Sequence, residues 1–271
     1  VRKEPFRAAA ALVVALALAA PAAAHDTWLS VQPGRLAPGS VLRVAMTSGG
    51  AFPEPESPIA PARIARAEAL LGGSSRALSG RKLGPHALEL SLSLDRAGIA
   101  TVVVSLEPRT LVLERAKIAE YLEEIGASET AGAAWARVPE PKQWRESYTK
   151  HAKAHARVGD ANGDDSWSRP AGLRLEIVAE RDPTRLAAGD SLPVRVLRDG
   201  APLPDFSLRA DPGPGGKPAR RSTDTGGRAV FVLDRSGPWL LAGTDLRWDA
   251  GRKLWRSDFT TMTVQVAPSP R

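Results

Sequence analysis

Apolar and polar residues alternate with a period of two along most of this chain, the mark of half-buried β-strands. Val41, Val44 and Met46 follow the turn Ala37-Pro38-Gly39-Ser40 in a β-rich run. Leu88, Leu90, Leu92 and Leu94 alternate with polar neighbours. The turn Asp95-Arg96-Ala97-Gly98 leads into residues 99–106, a β-branched run that reads as a strand buried on both faces. Together these two runs predict an antiparallel hairpin. The proline-rich residues 52–61 predict a loop, because proline cannot hold a central ladder.

The period changes twice. Ile118, Leu122 and Ile125 recur at helical spacing, with Glu120, Glu123 and Glu124 on the wet side and Gly126 as a stop. Trp144, Tyr148, His151 and His155 fall at i, i+4, i+7 and i+11, which predicts a second helix over residues 142–157. A polar gap follows at 159–170, and strands resume beyond it. Leu173, Leu175 and Ile177 alternate, as do Leu192, Val194 and Val196, and Ala229, Phe231 and Leu233. Met262, Val264 and Val266 supply the apolar face of a last strand. The fold class is therefore mainly β. A β-sandwich-like domain over 25–170 carries a helical insertion at about 114–157, and an immunoglobulin-like sandwich covers 171–271.

The first residues read differently. Arg2, Lys3 and Arg7 precede an apolar run over 8–20, then Pro21 and the small residues Ala22 and Ala24. That order predicts a signal peptide over 1–24, cut after Ala24, and a periplasmic or secreted protein. The run falls short of the roughly 20 apolar residues of a membrane helix, so no integral segment is expected after cleavage. The chain of 271 residues has no cysteine, which excludes disulfides, a lipoprotein anchor and thiolate metal sites. Net charge is +7, of which the leader's three basic residues and Glu4 contribute +2, leaving about +5. The arginines are scattered and not interleaved with aromatics, so nucleic acid is not an expected partner.

Cleavage after Ala24 gives His25 its particular chemistry. A terminal histidine offers its α-amine and its Nδ1 to one metal ion, closing a chelate ring. Asp26 could orient the ring or add an oxygen. Nitrogen-rich sites of this kind favour copper(II) or nickel. On a helix His151 and His155 would stand one turn apart and reach a single metal. With His25 docked on that face, the metal residues are His25, His151, His155 and Asp26. The plain alternative is that His25 begins the first strand and that His151 and His155 belong to a packed aromatic face. His86, after Pro85, is expected at the surface. Asp160-x-Asn162-x-Asp164-Asp165 resembles the opening of a calcium loop, but Ala171 stands where the bidentate acid belongs, so a solvated turn is expected. No G-x-S-x-G elbow or Gly-rich helix start is present, and the chain is not expected to be an enzyme.

Several landmarks go together: His25-Asp26-Thr27-Trp28-Leu29, Tyr148-Thr149-Lys150-His151-Ala152-Lys153, Arg157-Val158-Gly159, and residues 172–177 with Asp182-Pro183 and Gly237-Pro238-Trp239-Leu240. The combination resembles a bacterial exported family known as domain of unknown function 4198, often described as the periplasmic component of a cobalt or nickel uptake system. The resemblance implies nickel or cobalt as the bound divalent ion and an inner-membrane metal transporter as a partner, and the nitrogen donors of His25 add copper to the expected ions. Residues 190–266 also resemble the carboxypeptidase-regulatory or transthyretin-like sandwich. Relatives often carry a histidine shortly after the counterpart of Trp239, where this chain has Asp245. The function expected from sequence is periplasmic transition-metal binding. The rival is a non-catalytic envelope module that binds a protein or glycan through its sandwiches.

Overall fold

The computed structural model describes residues 25–138, 140 and 142–269, and the expected leader lies outside them. In chain order the first strands are β1 (Asp26–Gln32), β2 (Arg35–Leu36), β3 (Ser40–Gly49), β4 (Ser57–Pro58), β5 (Ile64–Leu71) and β6 (Ser74–Ala77). Then come β7 (Ser79–Leu83), β8 (Leu88–Leu94), β9 (Gly98–Leu106) and β10 (Arg109–Leu113). Helices α1 (Ile118–Glu124) and α2 (Ser128–Ala136) precede β11 (Trp144–Val158). The rest is β12 (Leu175–Ala179), β13 (Asp190–Arg198), β14 (Ala201–Pro202), β15 (Ser207–Asp211), β16 (Ala219–Ser222), β17 (Arg228–Leu233), β18 (Gly237–Asp249) and β19 (Leu254–Val266). The chain is mainly β, as its period of two requires.

One ten-stranded sheet runs through the whole molecule in the order β16-β15-β18-β19-β11-β9-β5-β6, with β10 and β2 also on β11. Its centre is the parallel pairing of β11 with β19, Glu146–Ala154 against Trp255–Thr263. A five-stranded sheet, β1-β3-β8-β7 with β4, covers one face over β11, β9 and β5. Ala152, Ala154, Ala156 and Val158 meet Leu42, Val44, Met46, Leu88 and Leu90 there. A four-stranded sheet of β12, β13, β14 and β17 covers the opposite face over β15, β18 and β19. Leu175, Ile177, Val194 and Phe231 meet Met262, Val264 and Leu241 in that second core. The two sandwiches therefore share a sheet and lie on opposite sides of it, and the expected boundary at 170/171 falls between β11 and β12.

Two expectations are corrected. Residues 88–94 and 99–106 do not pair: β8 joins β3 and β7, whereas β9 joins β5 and β11. The turn between them passes the chain from one sheet to the other. At its end Gly98 has φ +142, and a Cβ there would stand 2.8 Å from Asp164 Oδ2. That close approach lets Asp164 accept a hydrogen bond from the Ile99 amide at 2.7 Å. β9 itself is buried on both faces at every residue but Ser105, as its apolar run predicts.

Residues 144–158 form the longest strand, not a helix. The run from Ala152 to Val158 alternates small apolar with basic or imidazole side chains, a strand pattern that the aromatic and histidine spacing had masked. The helical insertion is limited to α1 and α2. Their apolar residues Ile118, Tyr121, Leu122 and Ala131 close over Trp144, Trp255 and Phe259. Trp144 and Trp255 stack with centroids 4.6 Å apart.

Candidate functional site at the amino-terminal edge

β1 starts at Asp26, whose backbone is in register with Gly49 of β3. Trp28 anchors the strand: it is fully buried against Phe52, Leu240 and Ala242, and the Thr27 carbonyl accepts from Thr261 Oγ1 at 2.6 Å. The preceding residue, His25, is half-buried, and its carbonyl accepts a hydrogen bond from Lys150 Nζ. Its ring lies by Gly50, whose missing side chain would be 3.8 Å from Nε2. The Gly50 amide donates to Glu56 Oε2 at 3.0 Å.

Here a recess of about 220 Å³ opens, lined by Asp26, Gly49, Gly50, Glu124, Arg209 and Arg220. Asp26 pairs with Arg209, which also holds Asp211 at 2.7 Å. Burial pushes the Asp26 carboxyl above its ordinary value against the pull of Arg209 and Lys150. Burial likewise lowers Lys150 to about 8, although Asp26 opposes it. Arg220 donates to Ser207 Oγ at 3.0 Å and to the Glu124 carbonyl at 2.8 Å.

The three histidines expected to converge do not. Lys150 and His151 are neighbours on β11, so their side chains leave opposite faces of the sheet. His25 sits on the Lys150 side, and His151 and His155 lie under the other. Four residues along a strand span about 13 Å, too far for His151 and His155 to share one ion. Among the described residues no group of three or more His, Asp or Glu side chains could hold a metal. Asp26 is engaged by Arg209 and sits in the recess without facing His151 or His155. His86 is exposed, with Nδ1 3.3 Å from the Glu56 carbonyl.

The opposite face of β11 carries a row that sequence reading missed as a unit: Thr149, His151, Lys153, His155 and Arg157, all buried. Lys153 pairs with Glu176 of β12, and Glu176 also accepts the amides of Ala171, Gly172 and Leu173. Arg157 pairs with Asp182 and donates to Thr184 Oγ1 at 3.1 Å. Neither ring nitrogen of His155 has a hydrogen-bond partner, and burial, helped by the Lys153 charge, lowers it to about 3. Asp245 belongs to this side too, held by Arg198 at 3.2 Å and Arg247 at 3.1 Å. A strand pattern of alternating Ala and charge over 152–157 was the available signal. Residues 160–165 form Asx turns, with the Asn162 amide on Asp160 and the Ser166 amide on Asp164.

A separate groove of about 300 Å³ lies where the helices meet β11, lined by Val112, Ile118, Trp135, Lys142 and Trp144 among others. Lys142 Nζ stands 4.8 Å from the Trp135 ring centre. No helix among the described residues is long and apolar enough to cross a membrane.

In shape the chain is similar to Yersinia pseudotuberculosis adhesin InvE, at 12% identity and TM-score 0.23, over 88% of this chain and 58% of that one. It is similar to the Escherichia coli adhesin FdeC at 14% identity and TM-score 0.25, over 91% and 64%. The ectodomain of mouse nectin-like molecule 4 aligns at 10% identity and TM-score 0.21, over 91% and 65%. The chain thus spans about three-fifths of the length of the two adhesins. No curated protein matches it in sequence. A sequence-family model matches residues 22–244. The chain belongs to the family described as domain of unknown function DUF4198.

Proposed function

We propose that this β-sandwich protein is exported and binds a divalent transition metal, copper, nickel or cobalt, through His25 alone. One observation carries the reading: β1 and Lys150 pin the His25 backbone next to Asp26 and Gly50, which line a polar recess, leaving its imidazole half-exposed. With a free amine, His25 supplies two nitrogens, and no described side-chain cluster supplies three. The remaining ligands would come from outside the chain. Two protein donors and an open side suit passing an ion to an inner-membrane transporter better than storing it. The amine, with an ordinary value of roughly 8, and the imidazole must both be deprotonated to bind, so acid favours release.

The test compares protein beginning at His25 with protein carrying one extra glycine before it, by calorimetric titration of copper(II), nickel(II) and cobalt(II). The expected result is one site, weakened at least about tenfold by the extension, a loss of roughly 1.4 kcal/mol. Equal affinities would overturn it. The interaction-module reading would then stand, with the groove at Trp135 and Trp144 as its place.

A further inference from the structure

The polar face of the central sheet holds a second constellation, assembled from three strands. Ser105 Oγ on β9 lies 2.9 Å from His151 Nδ1 on β11. His151 Nε2 faces Asp258 Oδ1 on β19 at 3.5 Å and is without a hydrogen-bond partner at that distance. Arg247 Nη2 holds the other carboxylate oxygen at 2.7 Å, and Arg174 Nη1 approaches the first at 3.5 Å. Burial alone would raise the Asp258 carboxyl, but His151, Arg174 and Arg247 together hold it below its ordinary value. An ionised Asp258 only accepts hydrogen bonds, so the His151 proton belongs on Nε2. That leaves the Nδ1 lone pair for the Ser105 hydroxyl.

We propose that Ser105, His151 and Asp258 form a hydrolytic relay that cleaves carboxylic esters by acyl transfer to Ser105. The roles follow from position. Ser105 is the one residue of β9 that is not fully buried, whereas the His151 and Asp258 side chains are 5% and 3% exposed. The registered ladder between β9 and β11 covers only Gly98–Thr101 against His155–Val158, so Ser105 faces His151 beyond its end. Arg66 is the direct cross-strand partner of Ser105, its side chain 31% exposed. Its guanidinium is paired with Glu68, so that pair adds no net charge beside the nucleophile.

In the first half-reaction the Ser105 Oγ–H bond breaks and its proton passes to His151 Nδ1 while Oγ bonds to the acyl carbon. The carbonyl electron pair moves to oxygen and returns as the carbon–oxygen bond to the alcohol breaks. The departing alkoxide takes the proton from Nδ1. A water molecule then gives a proton to Nδ1 and bonds to the acyl carbon, Oγ leaves and recovers that proton, and the free acid departs. Nothing is oxidised or reduced. Asp258 balances the imidazolium that forms each time.

The experiment uses the full chain and two reagents, a fluorophosphonate–biotin probe and 4-nitrophenyl esters of acetic and succinic acid. The expected result is one label per chain on Ser105, hydrolysis of both esters, and loss of labelling in Ser105→Ala. Hydrolysis should fall by about 10³-fold or more in that variant, with an unchanged denaturation midpoint. Asp258→Asn should lower kcat by about 10²-fold or more with KM unchanged. No label on the parent protein, or equal labelling of Ser105→Ala, would overturn the proposal. Removing one half-exposed hydroxyl leaves the fold intact, so that pair decides even where Asp258→Asn fails to fold. Added EDTA should leave labelling and hydrolysis unchanged, which separates this site from the metal reading.

Discussion

The two faces of β11 are equally buried and chemically opposite. Ala152, Ala154 and Ala156 on one face and Lys153, His155 and Arg157 on the other are all nearly inaccessible to water. Over residues 152–158 the apolar face packs on the five-stranded sheet with no polar side chain of β11 to satisfy. The other face meets β12 and the segments around it, where each cation requires its own anion. The contrast teaches that burial says little about what holds a surface in place. On one side it is volume, and on the other it is the pairing of charges. The junction between the sandwiches is therefore the brittle one.

The hardest break should come at Glu176. Glu176→Ala leaves Lys153 buried without its counter-charge and strips three backbone amides of their acceptor. The expected loss is about 3–5 kcal/mol in urea denaturation. Replacing both partners, Lys153→Met with Glu176→Leu, should recover much of it, because the cost lies in the orphaned charge. A double variant as unstable as the single one would mean that the backbone amides, not the ion pair, set the cost. On the apolar face, Ala154→Leu adds volume at a buried core position and should cost about 1–3 kcal/mol by the same measurement.

His155 sharpens the contrast in the other direction. Its two unpartnered ring nitrogens make it the polar residue in the row that stabilises least. His155→Leu should be neutral or stabilising by about 1 kcal/mol at pH 7.5. The pH dependence is the better test. The folded state holds the ring neutral down to about 3, against an ordinary value of 6.5. Its contribution is complete above pH 6.5 and falls as pH drops from 6.5 toward 3, by at most about 1.4 kcal/mol per unit. Urea midpoints between pH 7.5 and 4 should fall less steeply in His155→Leu than in the parent. Identical slopes would show that water reaches the ring.

Much of the architecture was legible from local pattern. The alternations at Leu88–Leu94 and at 192–196, 229–233 and 262–266 all correspond to strands, and α1 ends at the expected place. What local pattern does not carry is pairing. Nothing in residues 88–106 says that the turn at Gly98 crosses between sheets, because either partner choice buries the same leucines and valines. The strand β11 was misread for a related reason. Alanine favours helices, and a spacing of four keeps one face in helix and strand alike. Trp144 with Tyr148 and His151 with His155 therefore read as one helical stripe, although the two pairs leave opposite faces of the strand. That single error brought His151 and His155 together on paper and kept Ser105, His151 and Asp258 apart, since those three meet only across strands. His25 was located from processing chemistry alone, and its recess, which borrows Arg209 and Arg220 from the far end of the sheet, left no trace in sequence.

The smallest effect is a control for the largest. Lys82 and Glu89 face each other on β7 and β8 at 3.9 Å, with side chains 78% and 60% exposed. In chemical type the pair is the same as Lys153 and Glu176, a lysine against a glutamate across strands or segments. In water its attraction is screened, and holding two long side chains together opposes the gain. Lys82→Ala should therefore leave the denaturation midpoint where it was, in low salt and in high. A shift comparable with that of Glu176→Ala would mean that charge pairing as such, not desolvation at the junction, is what the fold depends on.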